Sequence, residues 1–176
     1  MIRLPFFKSR PDPVAALYGD IVAAARAPAA YRDFGVSDDF EGRFERLVLV
    51  TTLVLKRLKV LPAPAESIAQ ELVDRVFAGL DEGLRLMGVS DLSVGKKIKK
   101  LAQGFYGRAE AYTAALKDEP ALDEPALRLA LSRNLFAGRI APEAVAGGLL
   151  SEIAGITARL DAASLEDLLA GGVLAH

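Results

Sequence analysis

The chain contains no cysteine. This excludes disulfides, thiolate metal sites and a cysteine nucleophile, and it leaves the compartment unconstrained while fitting a reducing cytosol. Histidine is almost as scarce: the single one, His176, is the last residue. Histidine-based triads and multi-histidine zinc sites are excluded by that count. Neither sign of charge is in excess, since 22 Lys and Arg face 23 Asp and Glu for a net charge of −1. A general nucleic-acid binder is usually strongly basic, so DNA is not an expected partner and any attraction to anions has to be local. Carboxylates and tyrosines are present but form no recognisable acid–base arrangement. No catalytic residue, metal or cofactor is expected, and the chain reads as a non-enzyme.

The length of 176 residues fits one domain, or one domain with a loosely attached tail. The start, Met1 to Arg10, is no signal peptide, because Pro5 and Lys8 interrupt any apolar core, and it is too short for a full transit peptide. The expected location is the cytoplasm, with peripheral attachment at the inner membrane left open. Residues 1–11 interleave Ile2, Leu4, Phe6 and Phe7 with Arg3, Lys8 and Arg10. They read either as a frayed, flexible terminus or as a short docking arm.

What is present is helical periodicity. Asp12-Pro13 forms an N-cap followed by an N1 proline, and Val14, Leu17, Tyr18, Ile21 and Ala25 follow at helical spacing up to Pro28. A turn through Tyr31 and Phe34 leads to Asp38 and Glu41, spaced as an aspartate version of the capping box. From Leu47 to Leu55 the sequence is apolar or threonine on nearly every side, bracketed by Arg43, Arg46, Lys56 and Arg57. A helix of that kind has to be surrounded, and the run is far shorter than the ~20 residues needed to span a bilayer. It is expected to be the central core helix.

A helix over about 65–87 follows two prolines. Ile68, Ala69, Leu72, Val73, Val76, Phe77, Leu80, Leu84 and Met87 share its inner half. Gly79 and Gly83 weaken it, either to allow close packing or for no structural return.

The most informative stretch is 86–108. One helix is expected to end near Gly88, a turn carries Asp91 and Ser93, and the next helix is expected over 94–117. Val94, Ile98, Leu101, Phe105, Ala109, Tyr112 and Leu116 face its core side. Lys96, Lys97, Lys99 and Lys100 gather at its start, with Tyr106 near the same surface and Arg108 at the opposite border. Cations in the first turn of a helix oppose its dipole, so the four lysines point to an anionic partner, or else to a solvated face. Arg108 is expected to fix the helix by pairing with a carboxylate such as Asp91 or Glu41. Gly95-Lys96 does not end a phosphate-binding loop, because six residues separate Gly88 from Gly95 and Lys97 stands where Ser or Thr is needed.

The segment from Met87 to Leu101, followed by Phe105-Tyr106-Gly107-Arg108, resembles the central motif of the ubiquinol–cytochrome c chaperone family. Tyr31 to Val36 and Phe40 to Phe44 are similar to that family's lead-in to its apolar helix. The likeness covers about residues 12–116, is looser after 117, and suits a bacterial member. It implies an all-helical, non-enzymatic assembly factor for ubiquinol–cytochrome c reductase that receives newly made cytochrome b. In mitochondrial members it also implies work beside the ribosome with a small helical partner. The lysines then have client loops, ribosomal RNA or acidic lipid headgroups as candidate contacts.

In the last third, Asp118 to Leu122 is repeated at once as Asp123 to Leu127. This reads as an acidic, proline-bearing loop over 117–126 whose second copy starts a helix. That helix is expected to run through Leu127, Leu131, Leu135 and Phe136 and to be closed by Gly138. A further helix is expected from Pro142 to Leu160, weakened by Gly147, Gly148 and Gly155. A last short one is capped by Ser164 with Asp167.

The expectation is one all-α domain over 12–176, with six to eight helices packed around an apolar central helix and no strand. Its contact surface is Lys96, Lys97, Lys99, Lys100 and Tyr106, with Asp91, Arg108 and Glu41 in orienting roles. The alternative is a peripheral membrane or protein-interaction module that binds acidic lipid through the basic stripe and Phe6 and Phe7. A carboxylate enzyme would need two close carboxylates in a deep polar pocket.

Overall fold

Asp12 caps the first helix, α1 (Pro13–Ala25), by accepting from the amides of Val14 and Ala15. The computed structural model describes residues 12–116 and 124–175. The expected N-terminal arm, most of the duplicated acidic loop and His176 lie outside the described residues. After α1, Pro28 both ends one helix and starts another, the five-residue α2 (Pro28–Arg32), where a plain turn was expected.

Asp39, and not Asp38, caps α3 (Phe40–Val60): its carboxylate accepts from the Gly42 amide at 2.8 Å. Asp38 instead pairs with Arg43 at 2.7 Å, and Glu41 stands exposed in the first turn, where its charge suits the helix dipole. Gly42 is required by space, because a side chain there would run into the backbone carbonyl of Ser37.

From Val48 to Val54 every residue of α3 is buried. The helix is walled by α1, by α4 (Ala65–Leu86), by α5 (Asp91–Ala115) and, toward the C-terminus, by α7 (Gly147–Ala162). This is the enclosure that an all-round apolar helix needs. Thr52 satisfies its hydroxyl on the Val48 carbonyl at 2.8 Å, so a polar residue is tolerated inside.

On α4 the predicted inner half is inside, except Met87, which is 57% exposed at the C-cap where the chain turns away. Gly79 lets α1 come close, because a Cβ there would meet the Tyr18 hydroxyl; Gly83 faces open space.

Between α5 and α7 lie α6 (Glu124–Arg133) and a 3-10 turn at Pro142–Ala144. The expected helix through Phe136 ends at Arg133, and Leu135 and Phe136 are buried in the turns that follow. Gly138, at φ +70, donates back to the Ser132 carbonyl at 2.8 Å. Likewise Pro142 and Gly147 start separate elements and not one helix. Gly148 admits the Phe34 ring, 2.6 Å from where a Cβ would sit. The short α8 (Leu165–Ala170) carries the predicted reciprocal cap of Ser164 and Asp167 and packs on α1. The described residues thus form eight α-helices and one 3-10 turn, with no strand among them.

Candidate functional site

The turn between α4 and α5 is built by Gly88. Its φ of +83 suits glycine, and the Val89 amide closes back onto the Leu84 carbonyl at 3.0 Å. Ser90 is the extended residue before α5, which therefore begins at Asp91, three residues earlier than expected. Asp91 pairs with Arg85 across the turn, and Arg85 also pairs with Asp81 at 2.6 Å.

This shift corrects the electrostatic reasoning about the lysines. Lys96 is the sixth residue of α5, beyond the first turn in which the helix dipole acts, so Lys96, Lys97, Lys99 and Lys100 do not oppose it. All four are exposed, and none has an ion-pair partner among the described residues. At 100° per residue, Leu92, Lys96, Lys99, Gln103 and Tyr106 follow one outward line, opposite Val94, Phe105 and Tyr112 in the core. Tyr106 is 58% exposed, with its ring 5.5 Å from Phe105 edge-to-face and 6.5 Å from Phe77. Leu86 and Leu92 are 82% and 92% exposed beside Met87, so the turn presents three bare aliphatic side chains.

Behind that turn lies a cleft of about 430 Å³ between α1, the start of α3 and the end of α4. Its walls are mainly apolar, including Val22, Phe40, Leu47, Leu80 and Leu86, and Tyr18 reaches in from α1. Charged groups sit at the margin: Arg26, the Asp38–Arg43 pair, and Asp39. The Gly42 amide and the Ser37 hydroxyl, at 2.8 and 2.5 Å, hold the Asp39 carboxyl below the ordinary aspartate value. Burial pushes the Tyr18 phenol up, partly offset by Arg26. An apolar floor with a polar margin accepts an apolar segment while discouraging general aggregation. The sequence did not reveal this cleft; its one local signal is Gly79 and Gly83, which lie at the cleft one helical turn apart on α4.

Arg108 does pair with a carboxylate, but with neither Asp91 nor Glu41. It grips Glu45 at 2.5 and 2.6 Å and lies over the Phe44 ring, 5.7 Å from its centroid. Asp91 is taken by Arg85, and Glu41 points to solvent from the first turn of α3; Glu45, one helical turn further on, faces α5. Burial raises the Glu45 carboxyl above its ordinary value, against the opposing pull of Arg108. Arg46, expected at the edge of the apolar run, is wholly buried and makes a forked contact with Glu152 of α7 at 2.9 and 3.0 Å. It also donates to the Ala24 carbonyl at 3.2 Å. The Tyr112 phenol, raised by burial, completes this interior polar layer.

These pairs hold helices together and are not arranged around an open polar pocket. Among the described residues, no group of three or more His, Cys, Asp or Glu side chains is placed to hold a metal ion. No described helix is long and apolar enough to cross a membrane.

The family model described as Ubiquinol-cytochrome C chaperone matches residues 32–175. Among solved structures, the chain is similar to the crystal structure of the Cbp3 homolog from Brucella abortus, at 39% sequence identity and a TM-score of 0.76. The alignment covers 90% of this chain and 86% of that one. A search of curated proteins gave no match.

Proposed function

Because the chain belongs to the ubiquinol–cytochrome c chaperone family, we propose that it is a non-enzymatic assembly factor that holds newly made cytochrome b while ubiquinol–cytochrome c reductase is built. The observation that carries this reading is the cleft between α1, α3 and α4. It is about 430 Å³, apolar inside and charged only at its margin. A hydrophobic segment of an unassembled membrane protein seats in such a groove by burying its own apolar side chains, at roughly 25 cal/mol per Å² removed from water.

The second part of the surface is the exposed lysine cluster of α5, Lys96, Lys97, Lys99 and Lys100, with Tyr106, which faces an anionic partner beside the cleft. Arg108 and Asp91 serve it indirectly. Arg108 ties α5 to α3 through Glu45, and Asp91 ties the α4–α5 turn through Arg85. Glu41 supports the start of α3, which forms one wall of the cleft. The proposed place of work is the cytoplasmic side, close to the inner membrane where the client is inserted.

The experiment is deletion of the gene followed by measurement of cytochrome b protein, its transcript and the assembled reductase. The expected result is loss of cytochrome b and of the assembled complex with the transcript unchanged, restored by the wild-type gene. Normal levels of both would contradict the proposal.

A further inference from the structure

Three of the exposed large apolar side chains, Leu86, Met87 and Leu92, stand together at the α4–α5 turn. Residues 85–106 hold five basic residues and one acidic one, in a chain whose net charge is −1. That one acid, Asp91, shares the one arginine, Arg85, with Asp81 of α4, which leaves one carboxylate charge at the turn. Against it stand the four lysines, none of them in an ion pair among the described residues. Leu92 leads the outward line of α5, Lys96 and Lys99 follow it, and Tyr106 ends it about 21 Å away. Lys100 flanks this line, and Lys97 lies further round toward the buried face. Asp81 and Glu82 lie before the turn on α4, and Glu110 lies beyond Tyr106 on the lysine line. Neither site interrupts the lysines.

We propose that this tip is a docking surface for an anionic phospholipid bilayer. Leu86, Met87 and Leu92 enter the headgroup–acyl boundary, the lysines rest on lipid phosphates, and Tyr106 lies at headgroup level. The composition favours lipid over other anions. Lysine is a mobile, strongly hydrated point charge suited to a diffuse charged plane, whereas bidentate recognition of a fixed phosphate or carboxylate uses arginine. Lysine is depleted in tight protein interfaces, and single-stranded nucleic acid is held by aromatic platforms, of which this line has one. Bare aliphatic side chains gain nothing from RNA but gain burial in a bilayer. The surface adjoins the cleft, since Leu86 and Met87 line both, so a chaperone seated on the membrane would present its groove at the depth where a client segment emerges.

This inference does not require the client to be cytochrome b, and it is tested without a client. The full-length protein is sedimented with phosphatidylcholine vesicles, with and without phosphatidylglycerol, at low and high salt. The expected result is binding only to the phosphatidylglycerol vesicles, reversed by salt. Lys96→Gln/Lys99→Gln is expected to weaken that binding at least about tenfold, and Leu92→Gln by several fold. Both variants change only exposed positions, and an unaltered melting midpoint serves as the folding control. Absence of binding to phosphatidylglycerol vesicles would overturn the proposal. So would equal binding to neutral vesicles, or binding indifferent to Leu92 or to the lysines. A lysine-dependent affinity for single-stranded RNA without vesicle binding would place a different partner on the surface.

Discussion

The guanidinium of Arg46 forks onto the carboxylate of Glu152, 106 residues later in the chain, with both side chains almost wholly out of water. The pair ties α7 to the central helix and gives the C-terminal third a fixed place against the first two. Removing Arg46 takes from Glu152 the guanidinium it is forked onto inside the protein, and breaking such a pair on one side is strongly destabilising.

Arg46→Met is therefore expected to cost about 3–5 kcal/mol. In a chain of this length that lowers the melting midpoint by roughly 10 °C. The double variant Arg46→Met/Glu152→Leu is expected to recover most of the loss, because an apolar pair of similar volume removes the cost of desolvating both charges. Calorimetry of the three proteins checks this, and a double variant no better than the single one would contradict it.

Two glycines should respond in opposite directions to alanine. At Gly42 a new Cβ meets the Ser37 carbonyl of the backbone, which cannot rotate away, so Gly42→Ala is expected to destabilise by about 1–3 kcal/mol. At Gly95, in an exposed turn of α5 with open space around it, Gly95→Ala is expected to stabilise by about 0.5–1 kcal/mol. Urea denaturation midpoints give both signs.

The acid limb of stability carries a signature of Asp39. Hydrogen bonds from Gly42 and Ser37 depress its folded pKa below the ordinary 3.8. The stabilisation from this cap is then fully present above the unfolded value and is lost as pH falls through the lower folded one. Asp39→Asn keeps an acceptor for the Gly42 amide but no charge. Its deficit against wild type is expected to be constant above about pH 5 and to close as the pH drops below the folded value. Glu45 works with the opposite sign. Burial raises its folded pKa, so its contribution falls as pH rises from the ordinary 4.5 through the raised value, equally in both proteins.

The lysines should be dispensable for folding. They lie beyond the first turn of α5, exposed and without ion-pair partners among the described residues. Replacing Lys96, Lys97, Lys99 and Lys100 together by glutamine is expected to leave the thermal midpoint unchanged while reducing capture of the client. A large fall in the midpoint would make the stripe structural.

Much of the helical order could be read from local pattern, because caps and periodicity act within a few residues. Asp12-Pro13, the Ser164–Asp167 cap, the enclosed α3 and the inner stripes of α4 and α5 all belong to that class. The errors fall where neighbours in space decide. Asp38 and Asp39 are equivalent as capping letters, and Arg43, by taking Asp38, leaves Asp39 to the helix. Arg46 looks like a flanking charge until α7 supplies Glu152. For Arg108 the pattern offers Asp91 and Glu41, but Arg85 takes Asp91, and the rotation of α3 turns Glu45, not Glu41, toward α5. Met87 continues the apolar spacing of α4 but falls where Gly88 turns the chain outward. The cleft depends on how three helices diverge, and no single segment encodes that.

The central claim is that the cleft holds newly made cytochrome b, and site-specific photo-crosslinking in growing cells tests it most directly. A photoreactive side chain replaces Phe40, on the cleft wall, or Leu129, exposed on α6 away from it. The expected result is a crosslink from position 40 to pulse-labelled cytochrome b that fades as the reductase assembles, with none from position 129. Equal crosslinking from both positions, or none from position 40 in cells that still make the reductase, would contradict the account.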